Sequence, residues 1–294
     1  MRHDQMEYGL ERRLKELDPG LHKRFADTVF VMQHALSNYK RLFPDFTDHT
    51  ILHSLTVIDF CNQLIGPAQL ERLNADAIYV LLMSCYLHDI GMGISQRDYE
   101  EFSQQIDFGS YFNYHRKDET ATIVRDFHHE YSGIYIRKYA AFLELPSPEH
   151  VFAVVQVARG HRRTDLFDLK EYPVDWQVPN GNTICLPYLA ALIRLADEID
   201  VATSRNPKML YDIDAMPEQY EKFFHLLVRA CEKLDISEDG FVMEVSTEDP
   251  EMRGAIELTR DKIQATLDLC RNAVIDRTPF VITQRNVDVL WLDA

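Results

Sequence analysis

Basic residues are scarce in this sequence: 31 Lys and Arg stand against 47 Asp and Glu, a formal net charge of −16 over 294 residues. An anion of that size repels a polyphosphate backbone, so extended nucleic-acid binding is not expected. A small phosphate ester stays open, provided the few basic side chains are gathered locally. Paired cysteines are also missing. Cys61, Cys85, Cys185, Cys231 and Cys270 are scattered, odd in number and form no CxxC. That argues against a disulfide framework and a thiolate zinc site, and for a reducing compartment. No apolar run reaches the ~20 residues of a membrane span, and the charged start MRHDQMEYGLERRLKELD has none of the apolar character of a signal peptide. The expectation is a cytoplasmic protein with no membrane partner. Repeats and low-complexity segments are absent.

What is present is mostly helix. Apolar residues recur at helical spacing over residues 21–42, 50–65, 75–87, 118–145, 147–159, 186–201 and 218–234. Ser147 is placed to cap its helix, with Pro148 at the first helical position. The character changes near the C-terminus, where 240–247 alternates like a strand, 251–273 reads as helix and 279–291 as one or two strands. The expected fold is mainly α: a helical domain over residues 1–234 and a small α/β appendage, of unassigned role, over 235–294. Two irregular stretches, 90–117 and 160–183, are long enough to carry function.

Two of the helices are apolar nearly all round, as central helices are. AIYVLLMSCYL runs directly into His88-Asp89, and LPYLAALIRLA carries Arg194 and ends at Asp197. A carboxylate at the end of a buried helix is costly unless it is hydrogen-bonded, paired or bound to a metal. Either one alone reads as a structural ion pair, Asp197 with Arg194 for instance. Together with further ligand-type residues they read differently. His49 and His53 lie four apart on one helix face, His128-His129-Glu130 falls within a long helix, and His161 sits in the basic run Arg159–Arg163. His3, His22, His34, His115 and His150 read as surface or core histidines.

In order and spacing, HTILHSLTV, YLHDIGMG, FHHEYS, ARGHRR and IRLADEID resemble the HD superfamily of metal-dependent phosphohydrolases, and the HD-CE group most of all. The resemblance covers about residues 46–201 and implies an HD-type helical bundle. It implies that His53, His88, Asp89 and Asp197 hold one metal, and that His129 and His161 hold a second, bridged by Asp89. The lysine that follows HDIG in several members is Met92 here, and no GYP follows HHE, which speaks against the cyclic-di-GMP phosphodiesterase branch.

Histidine and carboxylate without thiolate suit Mn, Fe, Ni, Co, Zn or Mg, one or two ions per chain. The expected activity is hydrolysis of a phosphate ester, most naturally a nucleotide's, by metal-activated water. Whether that means a phosphomonoesterase, a triphosphohydrolase or a phosphodiesterase stays open, as does homo-oligomerisation. Arg159, Arg162, Arg163 and Arg194 are the candidates for holding phosphoryl oxygens, and Asp89 is placed in the catalytic group. The resemblance to cyclic-nucleotide phosphodiesterases, in which a histidine four residues before the first ligand is the proposed general acid, gives that part to His49. Two other readings use the same residues: a silent metal- and nucleotide-binding regulatory module, and an HD-type di-iron oxygenase.

Overall fold

The computed structural model describes residues 9–43, 51–114, 120–202 and 219–292, and it is mainly α with a small C-terminal sheet. Helix α1 (Gly9–Leu17) buries Leu10 and Leu14. Asp18 then caps α2 (Pro19–Leu36) by accepting from Gly20 N and Leu21 N. Helix α3 (Ile51–Leu70) breaks at Gly66, whose φ of 66° ahead of Pro67 suits glycine alone. Asn74 caps α4 (Ala75–Leu87) through Ala77 N. After the short α5 (Gln96–Phe102) and α6 (Tyr111–Tyr114) comes the long α7 (Thr120–Lys138). Ser147 caps α8 (Pro148–Arg159) through His150 N, as its sequence indicates. A two-residue hairpin, β1 (Trp176–Gln177) and β2 (Thr183–Ile184), leads into α9 (Leu186–Glu198).

The two apolar helices are the centre of the molecule. Every residue from Asp76 to Leu87 of α4 is buried, and so is every residue from Leu186 to Ala196 of α9. Helices α1, α2, α3 and α8 pack around α4, while α3, α8 and α11 (Pro250–Val274) pack along α9. No single helix among the described residues is long and apolar enough to cross a membrane.

The C-terminal region differs from the sequence reading in two respects. Helix α10 (Gln219–Ala230) ends four residues before the expected 234, and residues 231–236 are strand β3 (Cys231–Ile236). Pairing overrides the helical pattern here. β3 runs antiparallel to β4 (Gly240–Val245), from Cys231 opposite Val245 to Ile236 opposite Phe241. β5 (Asn286–Trp291) then adds in parallel to β4, a pairing that needs a crossover, which α11 supplies. The expected boundary after residue 234 therefore falls inside a strand. The two sides also share one hydrophobic cluster, in which Leu189 and Ile193 of α9 join Ile256, Ile263 and Leu267 of α11 and Phe241 of β4. Phe280 stacks on Tyr188 with ring centroids 4.3 Å apart, and the Gln69 amide exchanges two hydrogen bonds with the Val281 backbone.

Candidate metal centre

Four elements end, or turn, at one point. Helix α4 delivers His88 as its C-terminal cap, and Asp89 follows with non-helical φ/ψ of −100° and 5°. The turn is held from α7: Ser132 Oγ donates to His88 O at 2.6 Å and accepts from Gly91 N at 2.9 Å. A Cβ on Gly91 would come within 2.4 Å of His128 O, so only glycine lets α7 approach this closely. His161 follows the end of α8, where Gly160 lies against Ala190 of α9. His53 comes from α3 and Asp197 from α9.

The donor atoms fall into two groups. His53 Nε2 lies 3.1 Å from His88 Nε2, 3.6 Å from Asp89 Oδ2 and 3.2 Å from Asp197 Oδ1. His88 Nε2 lies 3.4 Å from Asp89 Oδ2 and 3.8 Å from Asp197 Oδ1. In the second group His128 Nε2 and His161 Nε2 are 2.8 Å apart, at 3.3 and 3.6 Å from Asp89 Oδ1. Asp89 thus turns one oxygen to each group. The atoms of His53, His88 and Asp89, and those of Asp89, His128 and His161, lie close enough together to hold one ion each, and Asp197 stands beside the first pair of rings.

The other nitrogen of each ring decides what these contacts are. His88 Nδ1 faces Cys85 O at 2.9 Å, His128 Nδ1 faces Arg125 O at 2.5 Å, and His161 Nδ1 faces Ala158 O at 2.6 Å. His53 Nδ1 faces Asp200 Oδ2 at 2.6 Å. Carbonyl and carboxylate oxygens only accept, so in the neutral rings all four protons sit on Nδ1 and all four Nε2 lone pairs point inward. Lone pairs then face lone pairs, and carboxylate oxygens, with no hydrogen between them. A buried arrangement of that kind is stable around a cation or a captured proton. Nitrogen and oxygen donors, each ring oriented by a partner behind it, fit a divalent ion.

Without a cation the cluster takes up protons in its place. Burial works to lower His88, but the charges of Asp89 and Asp197 outweigh it and raise the ring to about 9. Burial takes His128 down to about 4, and burial with the nearby imidazoles takes His161 well below its usual value. Burial would raise Asp197, yet the His53 hydrogen bond and the surrounding imidazoles hold it well below the usual carboxylate range.

The site differs from the sequence reading in several residues. His128, rather than His129, stands beside Asp89 and His161. Successive helical residues diverge by about 100°, and the face of α7 docked on the His88–Asp89 turn is the one carrying His128 and, one turn later, Ser132. His129 points elsewhere: it is buried, its Nδ1 has no hydrogen-bond partner, and its Nε2 lies 3.6 Å from Glu130 Oε1. Arg159 is committed to Glu130 through both Nε and Nη2, at 3.1 and 2.7 Å. Arg194 makes no ion pair with Asp197 among the described residues. It braces the loop after α8, donating to Gly160 O, Thr164 O and Thr164 Oγ1. Arg162 is half-buried, and its charge is among those that lower His128 and His129. Arg163 is exposed, 3.7 Å from Asp126 Oδ1. His49 lies outside the described residues. Asp200 was not singled out in the sequence, although its place three residues after Asp197 puts it one helical turn along from a ligand candidate.

A helical bundle whose inner helix ends deliver a buried His/Asp cluster is an HD-type metal-binding domain. The family model described as HD-CE matches residues 43–274, and the chain belongs to that family. The match runs through α11, well beyond the residues that carried the resemblance. Neither a curated protein nor a solved structure matched the chain.

Proposed function

We propose that the chain is a metal-dependent phosphohydrolase acting on a phosphate ester of a nucleotide. The observation that carries this reading is the pair of donor groups sharing the Asp89 carboxylate. Two divalent ions sharing one carboxylate would suit an in-line displacement at phosphorus, where charge gathers on both the entering and the leaving oxygen. His53, His88, Asp89 and Asp197 would hold one divalent ion, and Asp89, His128 and His161 the other. Bound there, the ions would supply Lewis acidity toward a phosphoryl oxygen and an acidified water.

The chain's own residues supply the rest. Asp200 fixes the tautomer of His53 and strengthens it as a donor. Arg162, whose charge helps to lower His128, would take up phosphoryl charge. Burial of the cluster keeps bulk water from competing. His49, by its place four residues before His53, is assigned the proton that the leaving oxygen takes up. The test is phosphate release from a nucleotide panel with Mn²⁺ added, with oxygen uptake followed in parallel. His49→Ala should keep its metal and lose turnover by about 10²–10⁴, least for p-nitrophenyl esters, whose leaving group scarcely needs a proton. Oxygen consumption without phosphate release would replace this reading by an oxidative one.

A further inference from the structure

The residue after His128 opens a second space. His129 lines a cleft of about 440 Å³ between α7, the start of the loop after α8 and the segment following α5, a size that suits a small organic ligand. None of the proposed metal ligands lines it. One aromatic side chain lines it: Phe127, half-buried, is held from outside the cleft by Phe108 and Tyr111, with ring centroids 4.9 and 5.1 Å away.

The polar groups of the cleft are unbalanced. Glu130 and Arg159, both in the wall, cancel each other. Asp107 is exposed and one of its oxygens accepts from Gly109 N. Asp126 accepts from Tyr111 Oη at 3.0 Å and lies 3.7 Å from Arg163. Each carboxylate has about four lone-pair sites, so both retain acceptor capacity, with Arg163 the one cation facing them among the described residues. His129 adds to the lining a ring only 6% exposed, whose buried Nδ1 has no hydrogen-bond partner.

We propose that this cleft binds the base of the substrate, and that it selects a nucleobase carrying an exocyclic amine, stacked on Phe127 with the amine toward Asp107 and Asp126. The Phe127 ring is a stacking surface of the kind every base can use. The surplus of acceptors favours adenine, guanine or cytosine over uracil, whose edge lacks the amine. The place of the cleft, one residue along α7 from His128, rests on the phosphohydrolase reading above. The binding itself does not.

Nucleosides separate the two, because they carry no phosphate. Calorimetric titration of the Mn²⁺-loaded protein with adenosine, guanosine, cytidine and uridine should show at least one amine-bearing nucleoside saturating. Its affinity should exceed that of uridine by about tenfold, the usual worth of a hydrogen bond to a charged group. Asp107→Asn, at an exposed position, should narrow that preference. Phe127→Leu should weaken every nucleoside by about tenfold with metal content unchanged. Absence of saturation at millimolar nucleoside, equal binding of uridine, or wild-type binding by Phe127→Leu would overturn the proposal. Nucleoside binding without phosphate release from any nucleotide would leave the cleft standing and remove the hydrolytic reading instead.

Discussion

Helix α4 carries a buried His–Asp cluster at each end, and the two are built on opposite principles. At its N-terminal end Asp76 Oδ1 faces His150 Nε2 at 2.9 Å, and Oδ2 accepts from Asn180 Nδ2 at 2.9 Å and Asn182 Nδ2 at 2.7 Å. The other His150 nitrogen meets Ser147 Oγ at 2.9 Å. Every acceptor there has a donor. At the C-terminal end, around Asp89, acceptors face acceptors. Burial and residue type are alike in the two clusters; the balance of donors and acceptors is not. The first cluster fastens α8 and the β1–β2 turn to α4, and the second is a place for cations.

Mutation should separate them. Asp76→Ala orphans the buried His150 ring and releases two less buried asparagine amides, and should cost roughly 2 kcal/mol of stability while leaving metal content unchanged, measured by denaturant melts and elemental analysis on one preparation. A loss of metal in that variant would merge the two clusters into one functional unit. Chelation should act only on the second: an ion at a hundredfold excess over Kd contributes about 2.7 kcal/mol, so EDTA should lower the Tm of wild type and of Asp76→Ala alike. Asp200→Asn removes the carboxylate behind His53 and should weaken metal binding by about 10–100-fold, with little change in the melting of the metal-free protein.

The smallest effect is the pH dependence of the first cluster. Burial would raise Asp76, but hydrogen bonds from His150, Asn180 and Asn182 bring it down to about 2, below the ~3.9 of an unfolded chain. Its contribution to stability is therefore complete above about pH 4 and is lost as pH falls toward 2. The difference in Tm between wild type and Asp76→Asn should shrink across that window and stay constant above it. A difference that grows on acidification would contradict the donor-satisfied picture of this end.

The comparison also explains which parts of the molecule could be read from its residues. The central helices were legible because α4 and α9 are apolar on every face, and the His53, His88–Asp89 and Asp197 positions stand where those helices and α3 begin or end. His150 reads as a core histidine, and Asp76 satisfies it. The identity of the second-group histidine was not legible: His128 and His129 are both buried, and only the docking of α7 through Ser132 onto the His88–Asp89 turn sets the phase that selects between them. The strand at 231–236 was hidden for a similar reason, since its state is set by pairing with residues 240–245. The arginines show the limit of residue type as a guide. Arg159 and Arg194 suit phosphate chemically, yet Glu130 and two backbone carbonyls occupy them.

The central claim is that the acceptors pooled around Asp89 exist to hold divalent cations, and elemental analysis tests it most directly. Wild type, Asp76→Asn and Asp89→Ala would be purified identically, exposed to Mn²⁺ and desalted. Wild type and Asp76→Asn should each retain at least one ion per chain, and Asp89→Ala, which loses the carboxylate common to both groups, should retain none. An Asp89→Ala protein that keeps full occupancy, or a folded wild type that binds no ion, would contradict the account.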